Sequence, residues 1–305
     1  MRLVTRSDFD GLVCAVLLKA AGIVDAFKFA HPKDIQDGLV EITKDDVLAN
    51  VPYAPGCGLW FDHHISEYER IPGASYKGLS KESPSCARVI WEYYNGHASF
   101  SPQLDEMLEA VDKMDSGKLS REDVLTPTGW VLLGFVMDPR TGLGRYRDYR
   151  ISNYQLMLDL IDYCAAKPIA DILNLPDVLE RTSRYTEQET NFREMLLARS
   201  TVHGPVLVID LREQEEIYSG NRFAAYALFP QCNISIQVIW GLRKQNIVFT
   251  VGYSILNRTA RTNVGSLLLK YGGGGHHQVG TCQVPADKAE QTLRELTDLL
   301  RKENS

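Results

Sequence analysis

The chain has 305 residues, of which 44% are hydrophobic and 24% charged, so it is long enough for two domains with sizeable cores. The formal net charge of −6 argues against wholesale coating of nucleic acid, which requires a basic face. Charges interrupt the first ten positions and no apolar run approaches the roughly 20 residues that span a bilayer, so we predict a cytoplasmic protein without a membrane partner. The six cysteines are widely spaced and form no C-x-x-C pair, which predicts reduced thiols in or near cores.

The N-terminal residues predict a short buried strand that runs directly into a helix. Residues 2–5 suit the strand, and Gly11–Ala21 carries apolar residues at helical spacing. Asp8 and Asp10 therefore lie in the turn, where their i, i+2 spacing can direct both carboxylates to one ion or to two adjacent ions. The simpler alternative is a helix N-cap, which needs only one aspartate.

Three further apolar runs predict strands at Ala26–His31, Asp46–Asn50 and Gly58–Phe61. Their alternation with helical segments favours right-handed βαβ units and a mainly parallel sheet. The last run stops at Asp62-His63-His64, and sites in such sheets form outside the carboxyl ends of the strands. A carboxylate and two imidazoles in a row are costly to bury unless something satisfies them, which indicates a metal site. His31 is more simply a satisfied loop histidine.

A further short run of polar residues follows a predicted helix. Ser85–Tyr94 and Leu104–Met114 carry apolar residues at helical spacing, and the second ends at Asp115-Ser116-Gly117. An ion coordinated by Asp115 is physically sensible because a helix C-terminus favours a cation, while a solvent-facing cap residue is the alternative. Asp or His residues thus stand at the ends of three predicted strands or helices. We predict that these distant segments together form one metal centre.

The rest of the chain predicts a connector and a second domain. The expected helices and strands are Tyr154–Cys164, Leu179–Leu197, Val206–Asp210, Ile234–Trp240, Ile247–Tyr253, Val264–Tyr271 and Ala286–Arg301. We predict an α/β protein with an N-terminal, mainly parallel sheet flanked by helices, a smaller C-terminal α/β domain and the active-site cleft between them. The predicted division assigns residues 1–170 to the metal-binding domain, 171–200 to a helical connector and 201–305 to a substrate-binding domain.

Four consecutive glycines, Gly272–Gly275, precede His276 and His277. Such a run allows close backbone approach and frees N–H groups for an anion-binding concavity, and the two histidines can donate to phosphate oxygens. Arg258 and Arg261 offer bidentate partners for phosphate. A flexible loop is the alternative, and the run fits neither a Walker A loop nor a Rossmann turn.

Together these residues resemble the DHH phosphoesterase superfamily, which is named after the triplet that this chain carries as Asp62-His63-His64. The family's Asp-x-Asp-Gly is seen at Asp8–Gly11, its Asp-Ser/Thr-Gly at Asp115–Gly117, and the Gly-Gly-Gly-His of its associated C-terminal domain at Gly273–His276. The match extends over most of the chain. It is closest to the branch of nanoRNases, RecJ-like nucleases and cyclic-dinucleotide phosphodiesterases, and chains of this appearance are often labelled exopolyphosphatase-related.

The resemblance implies a two-metal site, usually manganese and otherwise magnesium, that hydrolyses a phosphoester or phosphoanhydride. The implied ligands are Asp8, Asp10, His63 and Asp115. Asp62 is implied as a further ligand or as the group that orients His63, and His64 as a catalytic contact to the scissile phosphate. The resemblance also implies residues that bind the far phosphate or the nucleotide. They are Gly273, Gly274, Gly275, His276 and Arg258, with His277 beside them.

Two positions depart from the family pattern. Many members have a histidine where this chain has Arg6, and a bridging aspartate where this chain has Asn50. Arg6 is therefore counted among the catalytic residues rather than the ligands, and Asn50 marks the bridging place without a charge. Both changes affect the same half of the metal pair, so we expect one or two ions. A group such as His31, or Asp45 or Asp46 in a shifted strand register, would complete the weaker site.

The leading functional prediction is hydrolysis of a phosphodiester or phosphoanhydride in a short RNA or DNA oligonucleotide or another small nucleotide. Hydrolysis of linear polyphosphate is the enzymatic alternative, and a phosphoester-binding regulatory module with degraded catalysis is the alternative of another class. An aromatic platform near His276 would favour nucleotides, because base stacking contributes about 1–3 kcal/mol. Tyr253 and Tyr271 are the candidates, although core packing is their simpler role. The sequence is compatible with a homodimer.

Overall fold

The computed structural model describes residues 1–64, 67, 70–71 and 73–304. The chain forms two compact units, Met1–Lys118 with Pro127–Tyr185 and Leu119–Thr126 with Thr186–Ser305. Among the described residues, no helix combines the length and the apolar character that crossing a membrane requires. The roles assigned to residues 1–170, 171–200 and 201–305 stay predictions, as does a homodimer.

The helices and strands follow one another along the whole chain. The α-helices with described bounds are α1 (Phe9–Ala20), α2 (Pro32–Gln36), α3 (Cys86–Tyr93), α4 (Asp105–Asp115), α5 (Arg121–Leu125), α6 (Gly129–Met137), α7 (Asn153–Ala166), α8 (Ile169–Leu173), α9 (Pro176–Arg199), α10 (Ala224–Leu228), α11 (Val264–Leu269) and α12 (Ala289–Asn304). The strands are β1 (Arg2–Thr5), β2 (Ala26–Phe29), β3 (Asp46–Ala49), β4 (Leu59–Asp62), β5 (Gly78–Ser80), β6 (Ser200–His203), β7 (Val206–Asp210), β8 (Ile234–Trp240), β9 (Ile247–Tyr253), β10 (Gly274–Gly275) and β11 (Val279–Val284).

The N-terminal unit contains a five-stranded parallel sheet in the order β2-β1-β3-β4-β5, flanked by helices. β1, β3 and β4 are almost continuously buried, which explains why their sequences are apolar runs without alternation. Thr5 pairs with Ala49 and Ala49 with Phe61, so the carboxyl ends of these three strands are neighbours. The prediction of a mainly parallel sheet is confirmed.

The C-terminal unit contains a six-stranded mixed sheet in the order β10-β11-β9-β8-β7-β6. β7 and β8 are parallel, while the other neighbouring strands are antiparallel, and β8 with β9 form a hairpin. Its core combines sheet residues such as Phe249 with Leu268 of α11 and Leu296 of α12. The predicted fold class, α/β with a second sheet domain, is confirmed.

Several residues flagged in the sequence have structural roles. The six cysteines are free, and all except the partly buried Cys57 are buried. His31 caps α2, because its Nδ1 accepts a backbone N–H of the first turn. Tyr253 and Tyr271 pack against the core of the C-terminal unit, and their hydroxyls donate to a backbone carbonyl and a carboxylate. Their packing is thus explained without a bound base.

Candidate active site

Polar residues follow the carboxyl ends of three neighbouring strands. Arg6 and Asp8 come after β1, and Asn50 comes after β3. β4 ends at Asp62, and His63 and His64 follow it directly. In a parallel sheet the carboxyl ends share one edge, so the fold brings these distant segments together. The apolar runs in the sequence predicted this convergence of polar residues at one edge of the sheet.

Asp10, His63 and Asp115 form a cluster that could hold a metal ion. One ligand atom from each residue lies within 4.8 Å of the other two. His63 Nε2 is 3.0 Å from Asp115 Oδ2 and 3.7 Å from Asp10 Oδ2. The Asp10 and His63 side chains are largely buried and that of Asp115 is 29% exposed, so the buried charge needs a partner of opposite sign.

A backbone carbonyl orients the His63 ring. Nδ1 lies 3.1 Å from the carbonyl oxygen of Ser83, which can only accept, so Nδ1 carries a proton. In the neutral ring, Nε2 then has a lone pair close to the carboxylate oxygens of Asp10 and Asp115. Such a convergence of electron-rich atoms requires a proton or a cation between them. One imidazole and two carboxylates are a donor set that suits manganese or magnesium.

The first residues of α3 fix Asp10. Its Oδ2 accepts the N–H of Cys86 and its Oδ1 accepts the N–H of Ala87, both at 2.9 Å. Helix N-termini favour an anion, so α3 compensates part of the cost of burying this carboxylate. Burial nevertheless raises the pKa of Asp10 to about 7, and the nearby Asp115 carboxylate adds to the shift. A divalent ion beside Asp10 would favour the charged form.

The protonation of this cluster links ion binding to pH. Burial opposes the charged ring of His63, but the carboxylates of Asp115 and Asp10 outweigh burial and raise the pKa of His63 to about 10. The ion-free cluster therefore holds one proton on His63 below a pH of about 10 and a second on Asp10 below about 7. A bound ion must displace these protons.

We expect the affinity for Mn²⁺ to rise about tenfold for each pH unit between about pH 7 and 8.5, because about one proton leaves for each ion bound. Below about pH 7 the rise with pH should be steeper, since Asp10 must also lose its proton. Calorimetry under nitrogen, in buffers of different ionisation enthalpy, measures both the affinity and the proton release. Binding that neither changes with pH nor releases a proton would exclude His63 as a ligand.

His64 is held by the buried carboxylate of Asp62. Its Nδ1 lies 2.9 Å from Asp62 Oδ1, and the His64 side chain is 42% exposed. Burial opposes the charged ring, but the hydrogen bond and charge of Asp62 outweigh it and raise the pKa of His64. The second oxygen, Asp62 Oδ2, is buried and has no hydrogen-bond partner among the described residues. Asp62 thus holds His64 rather than His63, whose ring is oriented by the carbonyl of Ser83, and its role as an ion ligand stays a prediction.

Both carboxylate oxygens of Asp8 have hydrogen-bond or ion-pair partners outside the cluster. Arg6 Nε lies 2.9 Å from its Oδ2, while Asn50 Nδ2 and the N–H of Gly11 donate to its Oδ1 at 3.1 and 3.0 Å. The Gly11 contact makes Asp8 the N-cap of α1. Burial raises the pKa of Asp8, and the positive charge of Arg6 opposes that shift. The N-cap alternative is therefore correct for Asp8, and its role as a ligand stays a prediction.

The groups expected to compensate for Asn50 lie elsewhere. Asp46 Oδ1 is 2.6 Å from Arg2 Nε, and the two residues begin adjacent strands. Asn50 directly follows the opposite end of β3. The strand register is therefore not shifted, and the expectation that Asp45 or Asp46 completes a second ion site is wrong. A role for His31 at such a site stays a prediction.

Arg140 lies beside the cluster, although sequence reasoning missed it. Its Nε donates to both oxygens of Asp138 at 2.8 and 3.1 Å. Burial opposes its charge, but Asp138 raises the pKa of Arg140, and Asp8 and Asp115 contribute to the increase. The available signal was the apolar helix α6 ending in a polar run, which resembles the pattern that identified Asp115.

The glycine run is explained by close packing within the C-terminal unit. A Cβ on Gly273 would lie 2.1 Å from the carbonyl oxygen of Thr281, and a Cβ on Gly275 would lie 2.3 Å from that of Val279. Gly274 and Gly275 form β10 rather than a flexible loop. The N–H groups of Gly272, Gly273 and His276 donate to carbonyl oxygens, which reduces the number available for an anion.

The histidines after the glycines are exposed, as is Arg258. The ring of His277 lies 6.1 Å from the ring of Tyr253, and Arg258 Nε donates to the carbonyl of Ile255 at 3.0 Å. His276, His277 and Arg258 belong to the C-terminal unit. Their contact with substrate stays a prediction.

The fold and the cluster define the class of protein, a two-unit α/β chain with an Asp and His cluster at the carboxyl edge of a parallel sheet. No family model matches the chain, and no curated protein matches it. Among solved structures it is similar to a pGpG-specific phosphodiesterase, PggH, from Vibrio cholerae. The two are 50% identical over 99% of both chains, with a TM-score of 0.90.

Two more distant structures share the fold. One is an exopolyphosphatase-related protein from Bacteroides fragilis, 12% identical over 99% of this chain and 92% of that chain, with a TM-score of 0.51. The other is RecJ from Thermus thermophilus in complex with Mn²⁺, 14% identical over 99% of this chain and 52% of that chain, with a TM-score of 0.56. The chain belongs to the DHH phosphoesterase superfamily and is a phosphoesterase, a hydrolase. The resemblance carried by the four motifs is confirmed, and the binding-module alternative is not supported.

Proposed function

We propose that this chain is a metal-dependent phosphodiesterase that hydrolyses a short linear dinucleotide with a 5′-phosphate. The observation that carries the proposal is the similarity to the Vibrio cholerae protein, which is 50% identical and is described as pGpG-specific. The cluster of Asp10, His63 and Asp115 supports it independently, because this donor set suits a divalent ion. A guanine dinucleotide is therefore the first substrate to test.

The proposed ion ligands are Asp10, His63 Nε2 and Asp115. A divalent ion bound there supplies Lewis acidity and positive charge to the phosphoryl group. The N–H groups of α3 fix Asp10, and the carbonyl of Ser83 fixes the tautomer and orientation of His63. These contacts hold the ligands in place before the ion arrives, which favours affinity.

We propose that His64 binds the scissile phosphate. Asp62 holds Nδ1 and favours the charged ring, so Nε2–H remains as a charge-assisted donor. The charged ring stabilises the negative charge that develops on the phosphoryl oxygens and can protonate the leaving oxygen. Arg140, held by Asp138, adds a fixed positive charge beside the cluster.

The test is a substrate panel at saturating Mn²⁺ with pGpG, pApA, a cyclic dinucleotide and linear polyphosphate. We expect mononucleotide to be released from pGpG fastest. Equal rates on pGpG and pApA would remove the guanine preference but retain the dinucleotide assignment. Degradation of polyphosphate alone would support the polyphosphate alternative, and hydrolysis of no member would overturn the proposal.

We expect His276→Ala to raise KM about tenfold while changing kcat less, because an exposed histidine that binds a distant phosphate contributes about 1.4 kcal/mol to binding. This test addresses the proposed substrate-binding role of residues 201–305. His203→Ala is the matched control, since His203 is an exposed histidine on the edge strand β6 of the same unit. An unchanged KM in the His276 variant would assign the glycine run to packing alone.

A further inference from the structure

Hydrogen-bond donors contact both carboxylate oxygens of Asp8. Arg6 Nε and Asn50 Nδ2 lie 2.9 and 3.1 Å from its two oxygens, and the N–H of Gly11 lies 3.0 Å from Oδ1. Asp8 is only 7% exposed, so these contacts rather than water stabilise its charge. A guanidinium has no lone pair to offer an ion.

Asn50 is fixed by its backbone. Its φ of 54° lies in the left-handed region, which asparagine tolerates, and its N–H lies 3.2 Å from both the carbonyl of Phe61 and the sulfur of Cys86. Because the oxygens of Asp8 can only accept, the amide nitrogen of Asn50 faces them. An ion placed beside the oxygens of Asp8 would meet the N–H groups of Arg6, Asn50 and Gly11.

The charges of the site balance with one divalent ion. Asp8 and Arg6 form a pair of zero net charge, while Asp10 and Asp115 with a neutral His63 carry two negative charges. One divalent ion at this cluster brings the sum to zero. A second ion beside Asp8 would lie close to the guanidinium of Arg6 and be repelled by it.

We propose that the chain binds one divalent ion, at Asp10, His63 and Asp115, and that the guanidinium of Arg6 takes the place of a second ion as a fixed positive charge for phosphoryl oxygens. This inference rests on the proposed function. The Arg6 side chain is 34% exposed, and its ion pair with Asp8 uses Nε. A guanidinium carries four further N–H donors, in the planar geometry that matches a phosphoryl group.

The test is the number of Mn²⁺ ions bound per chain at saturation, measured by equilibrium dialysis with metal analysis, together with the electron paramagnetic resonance spectrum. We expect one ion with the spectrum of an isolated Mn²⁺. Two ions with a spin-coupled spectrum, in a protein that hydrolyses its substrate, would overturn this inference and leave the proposed function intact. The absence of any bound ion would overturn both.

Variants provide a gain-of-binding test. Arg6→His combined with Asn50→Asp replaces the donors around Asp8 with ligands, and we expect the stoichiometry to rise from one ion to two. The matched control is Arg2→His, which breaks the Arg2–Asp46 ion pair at the opposite end of the same strands and should leave one ion bound. A second ion in the control, or none gained in a folded double variant, would contradict the assignment.

The role of Arg6 toward substrate has a separate readout. We expect Arg6→Gln to lower kcat about 100-fold while one Mn²⁺ ion remains bound, since a charge is lost from the developing phosphoryl oxygens. Arg6→Lys should recover part of that loss, because it restores the charge without the planar donors. An unchanged kcat in Arg6→Gln would show that Arg6 serves only to neutralise Asp8.

Discussion

His63→Ala is expected to abolish Mn²⁺-dependent hydrolysis while leaving the fold intact. The variant removes Nε2 from the cluster, where it lies 3.0 Å from Asp115 Oδ2. Losing a bound ion removes about 4 kcal/mol of transition-state stabilisation, which corresponds to about a thousandfold in kcat/KM. Asp10→Ala is expected to have a similar effect. Steady-state kinetics and Mn²⁺ titration of the same samples measure the two losses.

His97→Ala is the matched control for the His63 variant. His97 is about half exposed and lies 3.6 Å from Asp105 in a surface pair, so its removal should change neither turnover nor ion binding. Circular dichroism and thermal unfolding establish that each variant is folded. Near-normal turnover in folded His63→Ala and Asp10→Ala proteins would rule out a metal centre at this cluster.

Gly11→Ala should destabilise the N-terminal unit, although alanine is the better helix former. A Cβ at this position would lie 1.9 Å from the carbonyl oxygen of Arg6, a backbone atom that cannot move without disturbing the turn that carries Asp8. Overpacking of this kind costs about 1–3 kcal/mol or more, against about 1 kcal/mol gained from helix propensity. We therefore expect a lower Tm and a lower urea midpoint with an unchanged m-value.

Gly144→Ala controls for the general effect of adding a methyl group. A Cβ on Gly144 would meet only the side chain of Asn153, at 3.7 Å, which is ordinary van der Waals contact. Its Tm should stay close to that of the unmodified protein. A Gly11 variant as stable as the Gly144 variant would contradict a steric requirement for glycine in the Asp-x-Asp-Gly motif.

The sequence predicted a candidate metal site at the carboxyl edge of the parallel sheet because several independent patterns indicate the same place. β1, β3 and β4 are buried on both faces, so each appears as a continuous apolar run, and the parallel order aligns their polar ends. Asp115 was predictable because it ends an amphipathic helix. Four motifs in family order then assigned roles that periodicity alone cannot supply.

Other features depend on contacts that no local pattern encodes. Arg140 lies beside the site because the fold places the end of α6 near the cluster. The polar residues that follow α6 did not indicate which residues Arg140 would contact. The pairing of Asp46 with Arg2 depends on strand register, which residue identity alone leaves open. The short strand β5 and the exposed strand β6 lack the apolar pattern on which strand prediction relies.

The glycine run shows how one composition can have two physical causes. A run of glycines suits both an anion-binding backbone and close packing of chains, and the sequence does not distinguish them. The structure supplies the packing reason at Gly273 and Gly275, where a side chain would collide with β11. Whether the same backbone also binds phosphate is what the His276 variant tests.

We propose that hydrolysis depends on a divalent ion held by Asp10, His63 and Asp115. The most direct measurement titrates metal-stripped protein with Mn²⁺ and follows both the bound ion and mononucleotide release from pGpG in the same samples. We expect no turnover in the stripped protein and a rate that rises in proportion to the first ion bound. Full turnover in the presence of a chelator, or a bound ion without turnover of any dinucleotide, would contradict the claim.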